Sequence, residues 1–181
     1  MEPYCATGDW FVIQGKLLQE WKMNFKGTLI VVKDMEKAKR FYQELLGLEI
    51  VDDFGANVVL SEGIFLQTAD TWAAFIRKPE KEIIYNNNAS ELYFETNDMD
   101  AFANKLANFP YIVYLHPIIE HSWGQRAVRF YDLDGHIIEV GENIVMVVER
   151  FIASGLTVEE TANRMDVDIS YVNSCLAKPG L

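Results

Sequence analysis

Two periods govern the placement of apolar residues along the chain, and they recur in the same order twice. Gly27–Val32 is β-branched and apolar, which predicts a strand. Asp34 then caps a helical pattern over Met35–Leu46, and Gly47 stops it. Three short strands are predicted next, over Leu48–Asp52, Ala56–Ser61 and Ile64–Thr68, the last two joined by a turn at Ser61-Glu62-Gly63. The order then repeats. Leu92–Thr96 reads as a strand. Asp98 caps a helix with Met99, Phe102, Leu106 and Phe109 on its apolar side. Ile112–Leu115, Gln125–Tyr131 and His136–Val140 read as strands. Asp34-Met35-Glu36 matches Asp98-Met99-Asp100, and Gly63 matches Gly135, so each half reads βαβββ.

The two ends depart from this plan. Residues 1–22 mix Gly8, Asp9, Trp10 and Trp21 with one short apolar patch, and strong organisation starts at Met23. Gln19-Glu20 can be encoded by a ribosome-binding sequence just upstream of the Met23 codon. Met23 is therefore the expected natural start, with an edge element or dimer arm as the alternative for 1–22. Beyond Glu142 the pattern turns helical. Asn143–Ser154 ends at Gly155, Thr157-Val158-Glu159-Glu160 is a capping box opening a helix to Met165, and Ser170 caps a third helix to Ala177. This layout resembles the tri-helical units of transcription factors. Its third helix carries only Lys178 as a base, so a packing or dimer element is expected ahead of DNA binding. The domain plan is an extension at 1–22, a body at 23–142 and a helical tail at 143–181.

Composition narrows the partners. The 181 residues are 50% hydrophobic and 24% charged, an ordinary globular balance. A chain of this length buries enough surface to fold without staples. The formal net charge of −11 disfavours nucleic acid and anionic membranes, which need a basic footprint. Cys5 and Cys175 are the only cysteines, which reads as a reducing, cytoplasmic setting without a disulfide. Apolar runs such as Leu29–Val32 and Ile144–Val148 are too short to span a membrane, and no secretory signal is visible.

Two stretches carry a family resemblance. GTLIVVKDMEKAKRFYQELLGLEI (27–50) resembles the opening of the vicinal oxygen chelate superfamily, the glyoxalase, bleomycin-resistance and extradiol dioxygenase group. WGQRAVRFYDLDGHIIEVGE (123–142) resembles its closing hairpin. The resemblance covers about residues 25–142. It implies an α+β fold in which tandem βαβββ modules form a curved mixed sheet around a pocket, here followed by the helical tail. The superfamily includes lyases, epimerases, dioxygenases, thiol transferases and non-catalytic drug binders, so the fold alone does not give the function.

Strand alternation assigns faces independently of the family. Arg129, Tyr131 and Glu139 fall together on the concave side, as do Glu91, Tyr93 and Glu95. The first half offers Gly27, Leu29, Val31, Asn57, Val59, Phe65 and Gln67. The resemblance places a metal-dependent relative's four ligands at Gly27, Gln67, Glu91 and Glu139. Gly27 has no side chain, which leaves two carboxylates and an amide oxygen. Such a set favours Mg²⁺, Mn²⁺ or Ca²⁺ over Zn²⁺, and Ni²⁺ and Zn²⁺ stay among the ions to test. Without a metal, Glu91 and Glu139 could act as general base or hold a cationic ligand. Arg129 could clamp a substrate carboxylate or pair with Glu139.

Trp123, in a loop leading to the pocket strand, is expected to contact ligand, together with Tyr93, Tyr131, Asn57 and Trp72. Trp72 and Phe75 also read as core or dimer contacts. His136 reads as structural and pointing away from the concave side, and His121 as an acid or base at the rim. The sequence therefore favours a glyoxalase-like homodimer that binds a small polar or aromatic molecule without a full metal site. A divalent-metal lyase, isomerase or epimerase is the alternative, and a DNA-associated regulator is a distant third.

Overall fold

The computed structural model describes residues 23–177. The extension at 1–22 and the end of the tail from 178, with Lys178, lie outside the described residues. The first half runs β1 (Thr28–Val32), α1 (Met35–Leu46), β2 (Ile50–Asp53), β3 (Asn57–Leu60) and β4 (Ile64–Thr68). Local chemistry sets α1: the Asp34 carboxylate accepts from the Lys37 backbone N–H, and Gly47 closes the helix at φ 73°. A short helix, α2 (Ala69–Ile76), follows β4.

The second half runs β5 (Glu91–Thr96), α3 (Met99–Leu106), β6 (Val113–Glu120), β7 (Arg126–Tyr131) and β8 (Ile137–Glu142). Asp98 caps α3 as Asp34 caps α1, its side chain accepting from Ala101 N–H. The strands form two four-stranded mixed sheets with matching order, β1-β4-β3-β2 and β5-β8-β7-β6. In each, the first strand runs parallel to the last and the others are antiparallel. The tandem α+β architecture read from the sequence is therefore the one observed.

One apolar core joins the halves. Val32, Phe41, Tyr42, Leu45, Leu60 and Leu66 from the first pack in one cluster with Leu106, Val128, Phe130 and Ile138 from the second. Each such large side chain contributes about 1.5–3 kcal/mol on burial. A polar clasp adds direction. The fully buried Tyr42 donates its hydroxyl to Asp132 Oδ2 at 2.8 Å, and His136 Nδ1 meets the same oxygen at 2.8 Å. Burial alone would raise the Asp132 pKa, but the bonds from His136 and Tyr42 outweigh it and hold the carboxyl below its usual range. His136 thus sits on the helix side, in the structural role expected of it.

Three local expectations change. Helix α2 had no predicted counterpart, because eight residues with Trp72, Phe75 and Ile76 interleaved among alanines carry too little periodicity. Strand β6 does not stop at Leu115 but runs through His116-Pro117 to Glu120. Proline is tolerated there because β6 is an edge strand, and its register slips on both sides of His116. The turn expected at Ser61-Glu62-Gly63 is present, with φ 59° at Glu62 and φ 73° at Gly63. The last helix is capped by Asp168, whose carboxylate accepts from Ser170 N–H at 2.7 Å, not by Ser170 itself.

The tail forms α4 (Ile144–Ala153), α5 (Val158–Met165) and α6 (Ile169–Leu176). Thr157 and Glu160 make both bonds of the expected capping box. Val147, Val148, Phe151, Ala162, Met165, Val172 and Cys175 build a second apolar core of its own. Among the described residues, no helix is long and apolar enough to cross a membrane.

Candidate functional site

The concave face of the second sheet is built from register. Tyr93 on β5 lies opposite Glu139 on β8, Glu139 opposite Arg129 on β7, and Arg129 opposite His116 on β6. Side chains on alternate positions share a face, so Glu91, Tyr93 and Glu95 flank this row from the open edge.

Arg129 organises the row. Its Nε donates to Glu91 Oε2 at 3.0 Å, and its Nη2 pairs with Glu139 Oε2. Its Nη1 approaches His116 Nε2 at 3.3 Å. His116 Nδ1 lies 2.8 Å from the Pro117 carbonyl, which can only accept. That contact puts the ring proton on Nδ1 and leaves Nε2 as acceptor for the guanidinium. Glu139 is buried, while Glu91 is partly open to solvent. The two expected carboxylates therefore meet on one internal cation rather than on each other. All three guanidinium nitrogens are engaged, which leaves one further N–H on each of Nη1 and Nη2 for the substrate clamp expected of Arg129.

A second chain of polar contacts leads to the rim. Trp123 Nε1 donates to Gln125 Oε1 at 3.1 Å, Gln125 Nε2 donates to the Tyr93 hydroxyl at 3.0 Å, and that hydroxyl donates to Glu95 Oε1 at 2.9 Å. Gly141 makes this crossing possible. A Cβ there would lie 2.9 Å from Gln125 Nε2 and 3.2 Å from the Tyr93 ring. His121 stacks on Trp123 with centroids 4.2 Å apart and planes within 6°. Trp123 and Tyr93 are thereby linked through Gln125, and His121 covers one face of the Trp123 ring.

Burial, then the nearby Arg129 charge and His116, hold His121 below its ordinary value of 6.5. The folded protein resists the proton that the unfolded chain accepts. The contribution of His121 to stability is therefore complete above the unfolded value and is lost as pH falls below it. Histidine NMR is expected to show His121 titrating below 6.5. A midpoint at or above that value would contradict the stacked, desolvated geometry.

The first half supplies a different surface. Gln67 is buried, its Oε1 accepting from Asn57 Nδ2 at 2.9 Å and its Nε2 donating to Thr71 Oγ1 on α2. Asn57 also donates to the Leu66 carbonyl. These two expected site residues hold each other and α2, and no hydrogen bond links them to the Arg129 cluster. Trp72 stands on α2 with them. Tyr131 lies on β7, its hydroxyl donating to Asn88 Oδ1 at 2.7 Å. Between the halves runs a cleft of about 610 Å³. Phe25, Leu48 and Ile64 supply apolar walls and Glu62, Glu91, Tyr93 and Glu95 polar ones, with no basic residue lining it among the described residues.

A divalent ion fits this donor set poorly. Gly27 has φ 149°, and a Cβ there would lie 1.9 Å from the Gly63 carbonyl oxygen. No ligating side chain can be accommodated at that position. Gln67 is committed to Asn57 and Thr71, and the Arg129 charge already lies on Glu91 and Glu139. Among the described residues, no three His, Cys, Asp or Glu side chains converge as a metal-ligating group.

Two participants escaped the sequence reading. The expected strand stops at Leu115, one residue short of His116, whereas the extended β6 sets His116 opposite Arg129. Gln125 read only as a strand residue, yet it joins Trp123, Tyr93 and the Glu142 carbonyl. Its place at the mouth of the loop before β7 was the available signal.

Comparison with known proteins agrees with this architecture. The family model described as a glyoxalase-like domain matches residues 25–145. A protein of unknown function from Agrobacterium tumefaciens str. C58 shares 35% identity, with 70% of this chain and 98% of that chain covered and a TM-score of 0.60. A glyoxalase/bleomycin resistance protein/dioxygenase family enzyme from Burkholderia phytofirmans PsJN shares 11% identity over 66% of this chain and 98% of that one, with a TM-score of 0.58. A genomically encoded fosfomycin resistance protein from Listeria monocytogenes shares 15% identity over 70% and 98% of the two chains, with a TM-score of 0.53. The last two show likeness of fold alone. No curated protein sequence matches the chain. With paired βαβββ halves, a cleft between them and a family match across most of its length, the chain belongs to the glyoxalase-like domain family of the vicinal oxygen chelate superfamily.

Proposed function

We propose that this protein binds a small organic molecule at the concave face and adjoining cleft, using an internal arginine where metal-dependent relatives use a divalent ion. The observation that carries this reading is the Arg129 guanidinium, which engages Glu91, Glu139 and His116 together. A fixed cation there neutralises the carboxylates and holds Glu91, through its Oε2, at the edge of the cleft. Glu62, Glu91 and Glu95 give the cleft an acidic lining beside Phe25, Leu48 and Ile64. A planar or cationic ligand with an apolar body suits such walls, with Tyr93 offering a ring in the lining and Trp123 joined to it through Gln125. The expected homodimer belongs to the same reading, because Val113, Tyr114 and Leu115 on edge strand β6 are exposed apolar side chains that a second copy would cover.

The experiment is metal stoichiometry on purified protein after dialysis against Mn²⁺, Mg²⁺, Ni²⁺ or Zn²⁺, followed by tryptophan-quenching titrations with planar and cationic compounds. Substoichiometric metal in every case and saturable quenching, lost in Trp123→Ala, are expected. Near-stoichiometric metal that Glu139→Gln abolishes would overturn the reading and move the protein to the metal-dependent lyases and isomerases.

A further inference from the structure

The tail lies beyond nearly all of the family match, yet it is fastened to the one loop that carries the aromatic rim. Four contacts converge on residues 120–125. Arg164 on α5 donates to the Ser122 carbonyl at 2.5 Å and pairs with Glu120 at 3.6 Å. Arg150 on α4 donates to the Gly124 carbonyl at 2.7 Å. The Phe151 ring lies against Gly124, where a Cβ would sit 2.1 Å from ring atom Cζ. Gly124 takes φ 89°, a conformation that other residues rarely adopt, so the loop is shaped to receive that ring. Arg150 reaches further, to the buried Glu142 carboxylate at 3.0 Å, and Arg126 pairs with the same carboxylate at 3.0 Å. The bundle is therefore anchored to the end of β8 as well as to the loop.

The loop it grips bears His121, Trp123 and Gln125. From Gln125 the hydrogen bonds continue to Tyr93 and Glu95 on the open edge of the concave face. Short loops without such support are the most mobile parts of a fold. Here both carbonyls that flank Trp123 accept from tail arginines.

We propose that the C-terminal three-helix bundle is a positioning device for the concave site, with Arg164, Arg150 and Phe151 setting the place of Trp123 and, through Gln125, of Tyr93. The bundle has its own core and a separate attachment, so its docking can change without melting the sheet. The orientation of the rim then follows the state of the tail. Arg164 and Arg150 are positioning residues, since each meets the Trp123 loop at a backbone carbonyl, of Ser122 and of Gly124, and not at the Trp123 side chain.

The test uses the full chain with ¹⁵N-labelled tryptophan and no ligand. The Trp123 indole cross-peak is assigned by its loss in Trp123→Phe. Arg164→Ala and Gly124→Ala are each expected to shift or broaden that peak by more than a linewidth, leave the Trp72 peak in place, and retain the helical circular dichroism of the parent. Arg164→Lys, which keeps a donor for the Ser122 carbonyl, is expected to return the peak most of the way. A Trp123 peak unmoved in both folded variants would overturn the proposal. If Arg164→Ala loses helical signal, a Trp123 peak that stays at its parental position would equally overturn it. Ligand binding plays no part in this readout, so its failure leaves the proposed function standing, and the reverse also holds.

Discussion

Gly27→Ala is expected to destabilise the protein by roughly 4 kcal/mol, combining a strained backbone region with forced overpacking at about 1–3 kcal/mol each. The reason is local and steric. Gly27 adopts φ 149°, and any Cβ would lie 1.9 Å from the Gly63 carbonyl oxygen and 2.7 Å from the Phe65 ring. A carbonyl of the tight turn before β4 cannot swing aside as a long side chain could. Relief requires the entry to β1 to separate from β4, at the start of their parallel ladder. Urea unfolding at constant slope should show the loss as a lower midpoint. The same geometry carries a functional corollary: Gly27→His is not expected to create a metal ligand. A change within about 0.5 kcal/mol, the size of an ordinary surface substitution, would mean that this end of β1 is free to move and that the missing ligand position could be rebuilt.

Arg129→Ala is expected to cost about 3–5 kcal/mol near neutral pH, the range for removing one partner of a buried ion pair. Glu139 is only 6% exposed and would lose its counter-charge, while Glu91 and His116 would lose their shared donor. An unpaired buried carboxylate takes up a proton more readily, so the loss should shrink as the pH is lowered. Replacing both members, Arg129→Met with Glu139→Leu, should recover most of the stability, because removing both charges also removes the desolvation cost. The double-mutant cycle separates the pair from simple loss of packing. A single-variant loss below about 1 kcal/mol, the range for an exposed ion pair, would mean that Arg129 is not the counter-ion of the site.

The face assignments at Glu91, Tyr93, Glu95, Arg129 and Glu139 followed from strand alternation, because a period of two fixes which side chains share a side once the strand is recognised. The partner of Arg129 did not. His116 reaches it because β6 runs through Pro117 with two slips in register, and such irregularities are set by the edge position of the strand. Strand alternation put Gln67 and Asn57 on the pocket side, and the family resemblance made Gln67 a metal-ligand position. The hydrogen bonds of these side chains to each other and to α2 were not legible, because the eight residues of α2 gave no usable period.

The sequence by itself determined the paired βαβββ order, the helix caps at Asp34, Asp98 and Thr157, and the separateness of the tail. These are properties of neighbouring residues, written in periodicity and in side-chain to backbone bonds a few positions long. Only the tertiary structure decided that Arg129 lies between Glu91 and Glu139, that the Gly27 position is closed by the Gly63 carbonyl, and that the tail grips the Trp123 loop. Each of these joins groups far apart in the chain. Register, close backbone approach and docking of one core on another settle such contacts, and no local pattern of residues encodes them.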